Sequence, residues 1–199
     1  MAKVAGVPSR LIRSTAIATG VAAIAGLGIG YAVGEPDQPS QIIQARQLNG
    51  AELCTKLGDV SSLLPAANGW EWQHTGKSDV VCSVLMHNQP QRTFSAGSLK
   101  VRITPTAGRA AGAGQPPFTP AEVAKQTYDR NPRQSLPNRP YPTRIDKRTG
   151  TGGESWQVSV MAVRADLIVQ VDYTAHPITE AAAQQAALVM ADRAIWEAK

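Results

Sequence analysis

Hydrophobic and polar positions alternate most regularly near the C-terminal end of the chain, in SWQVSVMAV and LIVQVDYT. Trp156, Val158 and Val160 alternate with Gln157 and Ser159, and Leu167, Val169, Val171 and Tyr173 alternate with Ile168, Gln170 and Asp172. A period of two sends each set to one face of a strand, so the two runs predict an antiparallel hairpin turning near 164–166. Leu99, Val101 and Ile103 alternate with Lys100 and Arg102 in the same way and predict a half-buried strand over 98–104. Shorter strands are expected at 70–74, 80–87 and 144–148.

Between these runs the period changes to that of helices. Asn49 followed by Glu52 forms a start signal, with Leu53, Cys54 and Leu57 sharing one face of a short helix that ends near Gly58. Asp59 caps a further turn carrying Val60, Leu63 and Leu64 before Pro65. Thr119, Pro120 and Glu122 start a second helix running to about Tyr128. Thr179 starts a final Ala-rich helix to about Ala198, whose buried stripe is predicted to be Leu188, Ala191 and Ile195. The stretch 105–120 reads as a loop, and the four prolines at 132, 137, 140 and 142 favour extended or turn conformations after the second helix. The fold class that follows is α+β, an antiparallel sheet with helices packed mainly on one face.

A different pattern precedes all of this. Residues 14–34 are 21 consecutive uncharged residues, and as a helix they would span roughly 30 Å, the thickness of a bilayer core. Lys3, Arg10 and Arg13 lie before the run and Glu35 and Asp37 after it, which places the N-terminus inside and the rest outside. The expected organisation is a cytoplasmic N-terminus at 1–13, a single membrane span at 14–34, a tether at 35–47 and an extracytoplasmic domain at 48–199. The alternative is a secretory signal, with Ala32 and Gly34 at the −3 and −1 positions of a cleavage before Glu35. The run is longer than the usual signal core, which favours retention.

Topology also changes the meaning of the charge. The net charge is +5, but without the three bases ahead of the span the remainder has 17 Lys and Arg against 15 Asp and Glu. A nucleic-acid partner is therefore not expected. Cys54 and Cys82 both lie in the part assigned outside, where an even count reads as one disulfide. It would staple the first helix to a strand, and for a loop of about 28 residues it contributes about 3 to 4 kcal/mol.

Candidate chemistry is sparse. GGESW at 152–156 lacks the second glycine of a nucleophile elbow and precedes a strand, and no phosphate-binding loop is present. Gly26, Gly28 and Gly30 sit inside the membrane-length run and not in a strand-turn-helix unit, so they are not a dinucleotide fingerprint. His74, His87 and His176 are scattered without ligand spacing, so neither a metal nor a cofactor is expected. Two constellations remain. Lys125, Arg130, Arg133, Arg139, Arg144, Lys147 and Arg148 fall within 24 residues that hold only Asp129 and Asp146 as acids, a candidate surface for anionic lipid headgroups or acidic wall polymers. Ala18, Ala22, Gly26, Gly30 and Gly34 recur every four residues, a face on which the span could pair with itself or with another membrane protein.

Taken together, AELCTKL, VVCSVL, the hairpin SWQVSVMAVRADLIVQVDYT and EAAAQQAALVMADRAIW resemble a family of small two-cysteine lipoproteins and secreted cell-envelope proteins of actinobacteria whose function is unknown. The resemblance covers roughly 48–198 and implies no catalytic residues. Many such proteins carry a lipid on a Cys directly after the signal, and this chain has no Cys there. The expected function is a membrane-anchored extracytoplasmic binding or scaffolding domain of the cell envelope. Two alternatives stand beside it: a secreted hydrolase or transferase whose site only the fold assembles, and an accessory subunit of a membrane complex held through the glycine-lined helix.

Overall fold

The hairpin read from the alternation forms as β6 (Trp156–Arg164) and β7 (Leu167–His176). Two residues, Ala165 and Asp166, connect them, and Ala165 adopts φ +50° to close so short a turn. The computed structural model describes residues 41–64, 71–76, 78–88, 95–150 and 153–198. The uncharged run 14–34 with its small-residue face, the tether up to Ser40, and the expected stop and start at Pro65 and Trp70 lie outside the described residues. No helix among the described residues is long and apolar enough to cross a membrane.

The described residues hold five further strands: β1 (Gln73–Thr75), β2 (Val80–Asn88), β3 (Ser95–Pro105), β4 (Gln134–Ser135) and β5 (Thr143–Thr149). With the hairpin they make a seven-stranded antiparallel sheet in the order β1-β2-β3-β7-β6-β5-β4. β3 and β7 pair from Ala96 with His176 to Pro105 with Leu167, which joins the two halves of the chain into one sheet. β4 is confined to two residues because Pro132 and Pro137, on either side of it, cannot donate to a ladder.

The core lies on one face of this sheet. Cys82, Val84, Leu99, Val101, Ile103, Ile145, Val158, Val160, Val169, Val171 and Tyr173 are all buried there. They pack against α1 (Gly50–Lys56) and α3 (Glu180–Glu197). Asn49 caps α1 by accepting from the Glu52 amide, as its spacing predicts. Asp59 accepts from the Ser61 amide at 2.7 Å and starts the 3-10 turn Ser61–Leu63. The Cys54–Cys82 disulfide forms with Cα atoms 5.5 Å apart and fastens α1 to β2. At the other end of α1, Arg193 of α3 donates to the carbonyls of Leu57 (2.6 Å) and Asp59 (3.1 Å). The buried stripe of α3 is wider than expected: besides Leu188, Ala191 and Ile195 it includes Ala183, Ala186, Ala187, Met190 and Ala194. Alanine on so many positions lets the helix backbone settle close against the sheet.

The third helix lies on the opposite face. α2 (Pro120–Asp129) begins with a capping box between Thr119 and Glu122 and buries Ala124 and Tyr128 against Met161, Val163 and Ile168. Those three belong to the alternate positions of β6 and β7, so α2 covers only the end of the second face near the β6–β7 turn. Two of the three helices thus share one face, and the other face is largely uncovered by helices among the described residues.

Tyr173 sits at the centre of the core with no exposed surface, and its hydroxyl donates to the Leu63 carbonyl. Burial pushes its phenol up to about 12. An unfolded chain ionises tyrosine near 10, so below that pH both states keep the proton and the full contribution to stability is present. Between pH 10 and 12 the unfolded state loses its proton first, and unfolding free energy is expected to fall by on the order of 2 kcal/mol. Denaturant titrations at steps across that window check this. Tyr173→Phe should remove the step while costing about 1 kcal/mol at neutral pH through the lost hydrogen bond.

Candidate functional site

The face left open by α2 carries two cross-sheet rows of side chains. Register places Ser83, Lys100, Asp172, Ser159 and Asp146 side by side from β2 to β5, and Leu85, Ser98, Thr174, Gln157 and Arg148 beside them. All except Leu85 are polar, and Leu85 is 77% exposed. Ser159 donates to Asp172 at 2.6 Å, which orients the centre of the first row. The polar residues that the alternation placed out of the core therefore form a continuous surface.

At its β5 side the surface deepens into a cavity of about 410 Å³. Asn131, Pro132 and Arg133 form one wall, and Asp146, Arg148, Gln157 and Ser159 form the floor and far wall. Arg148 pairs with Asp146 at 3.0 Å. Arg133 Nη1 is buried without a hydrogen-bond partner. A cavity lined by guanidinium, amide, hydroxyl and carboxylate groups suits a ligand that carries both an anionic group and hydroxyls.

What holds Asn131–Arg133 over the sheet is Arg144 of β5. Its Nη1 donates to the carbonyls of Asn131 (2.5 Å) and Arg133 (3.1 Å), and its Nη2 donates to that of Asp129 (3.5 Å). Its guanidinium carbon lies 4.8 Å from the centre of the Tyr128 ring. Helices leave their last carbonyls unpaired, and a cation there also meets the negative end of the helix dipole. Arg144 thus closes the end of α2 and shapes the wall of the cavity without lining it.

The seven basic residues of 125–148 do not form one patch: strand alternation sends Lys147 of β5 to one face and Arg144 and Arg148 to the other, and Lys125 and Arg139 are held in ion pairs of their own. Arg139 pairs with Asp192 at 2.5 Å and Lys147 with Glu180 at 2.6 Å, both on the α3 side. Lys125 pairs with Asp129 at 2.5 Å within α2, and Arg148 pairs with Asp146. Arg130 is exposed at the end of α2. Of the seven, Arg133 and Arg148 line the polar cavity. Asn131, Asp146, Gln157 and Ser159 complete it and carry no signal of their own in the sequence, since their meeting depends on the β5–β6 pairing.

The histidines are spread over three strands. His74 packs against Gly50 at the start of α1, while His87 on β2 and His176 at the end of β7 are both in register with Ala96 of β3. Among the described residues no three His, Cys, Asp or Glu side chains gather as a metal-binding group. A second cleft, of about 530 Å³, lies beyond α2 between Lys125, Tyr128, Tyr141, Val163 and Arg164. The chain matches no protein-family model, no curated protein and no solved structure.

Proposed function

We propose that the chain is a membrane-anchored extracytoplasmic binding module of the cell envelope, whose polar cavity takes a phosphate- or carboxylate-bearing component of that envelope. The observation that carries the reading is the meeting of Arg133 and Arg148 with Asn131, Gln157 and Ser159 in one cavity, beside the Asp146 carboxylate that pairs with Arg148. Two guanidinium groups against one carboxylate leave the cavity lining net positive, and an oxyanion would balance that charge. The disulfide supports an oxidising compartment. The charge asymmetry around 14–34 supports the anchor and its orientation. The resemblance to small two-cysteine envelope proteins of actinobacteria belongs to the same reading.

The test uses the full chain reconstituted in uncharged nanodiscs. Its arms are a poly(glycerol phosphate), a neutral dextran, and vesicles with and without phosphatidylglycerol, each at low and raised salt. Binding to an anionic partner that weakens with salt is expected, and Arg133→Ala and Arg148→Ala should each weaken it by about tenfold. The polymer and vesicle arms separate a wall component from a lipid headgroup. Equal binding to anionic and neutral partners would sink the proposal.

A further inference from the structure

The chain enters the domain at the end of the sheet where the β6–β7 turn and the start of α2 meet. The Ile43 carbonyl accepts from the Gly108 amide at 2.7 Å, and Arg46 pairs with Asp166 in the β6–β7 turn at 3.2 Å. The Thr106 amide donates to the Asp166 carbonyl at 2.8 Å and its hydroxyl lies 2.7 Å from the Pro120 carbonyl, tying α2 to the same end. Here the surface changes character. Ile42 and Ile43 are 43% and 52% exposed. Arg109 lies over the ring of Phe118 at 5.1 Å, and Arg164 over that of Tyr141 at 5.4 Å. The 530 Å³ cleft opens at this end, between Tyr128, Tyr141 and Val163, with Lys125 and Arg164 on its rim.

We infer that this end of the domain rests on the bilayer surface, with Ile42, Ile43 and Phe118 at the level of the headgroups and Arg109 and Arg164 on lipid phosphates. The occupant follows from chain length. Gly34 and Gln41 are separated by six residues, and the chain between them reaches no more than about 25 Å fully extended. A domain held that close presents the end at which its chain enters. Aliphatic side chains, tyrosine and arginine in one patch are what the interface between water and hydrocarbon accommodates, with rings and guanidinium groups at headgroup depth. The floor of the polar cavity lies five residues along β6, from Arg164 to Ser159, roughly 15 to 20 Å from the β6–β7 turn, while its wall at Asn131 adjoins the cleft at the end of α2, where the Asn131 amide donates to the Tyr128 carbonyl at 3.0 Å.

The inference rests on the anchoring reading, and the experiment separates the two. The full chain is reconstituted into vesicles of phosphatidylcholine and phosphatidylglycerol that include a photoactivatable phospholipid, and labelled peptides are mapped by mass spectrometry. Label at 41–46, 107–118 and 164–166, with residues 157–159 unlabelled, is the expected result. Ile42→Ser combined with Ile43→Ser, both at exposed positions, should cut the label at 107–118 by about tenfold while the chain stays embedded. An embedded chain labelled evenly, or labelled at the cavity floor, overturns the docking and leaves the anchor intact. A chain recovered in the soluble fraction, starting at Glu35, overturns both.

Discussion

Replacing Cys54 and Cys82 together with alanine is expected to lower the unfolding free energy by about 3 to 4 kcal/mol, the loop-closure contribution for a bridge across 28 positions. The magnitude is large because of what the bridge joins. α1 is a helix of seven residues, too short to persist alone, and it meets the sheet mainly through β1 and β2. Without the bridge it keeps the packing of Leu53 and Leu57, the contact of Gly50 with His74, the Trp72 hydrogen bond to the Gly58 carbonyl and the Arg193 hydrogen bonds to the carbonyls of Leu57 and Asp59. Both sulfurs belong to buried residues, at 2% and 0% exposure, so the alanine pair also leaves small cavities. Denaturant unfolding of the oxidised protein, the reduced protein and the double variant measures the effect. The last two should agree within about 1 kcal/mol, and a loss below about 1 kcal/mol would refute the stapling role.

The second large effect is expected at Arg144. Arg144→Ala removes a guanidinium that serves three main-chain carbonyls and stacks on Tyr128, and it should cost about 2 to 4 kcal/mol. It should also abolish anionic binding at the polar cavity, although Arg144 does not line it, because Asn131 and Arg133 lose the group that holds them. Arg144→Lys should recover little, since an ammonium cannot serve the same carbonyls in the plane of the ring stack. Amide exchange separates the two roles: protection should fall at residues 129–133 in both variants, while the β6–β7 hairpin stays protected. Unchanged exchange at 129–133 would show that Arg144 does not shape that wall.

The cores of the strands were legible because alternation is a local signal. Leu99, Val101, Ile103, Val158, Val160, Val169, Val171 and Tyr173 all face the core as their period predicts, and Thr119 with Glu122 marked the start of α2. The pairing of β3 with β7 carries no such mark, because the partners lie more than sixty residues apart and only the closed sheet brings them together. The basic residues of 125–148 illustrate the same limit at the site. Their spacing in the chain suggested one surface, but a strand sends neighbouring residues to opposite faces. Lys147 therefore reaches Glu180 of α3, while Arg148 beside it turns to Asp146 and the polar cavity. Arg144 shows how charge alone misleads: its guanidinium serves main-chain carbonyls, a role that composition does not announce.

The seam between β3 and β7 also governs the order in which this domain becomes itself. β3 ends at Pro105, yet the strand that covers its free edge begins at Leu167, and α3 follows later still. During synthesis the first half therefore waits with an open hydrogen-bonding edge and an incompletely covered apolar face until β7 and α3 have emerged. Contacts so distant in sequence make folding slow and late, and a nascent chain in that interval is exposed to mispairing. For this protein the final strand and helix are the step that commits everything before them.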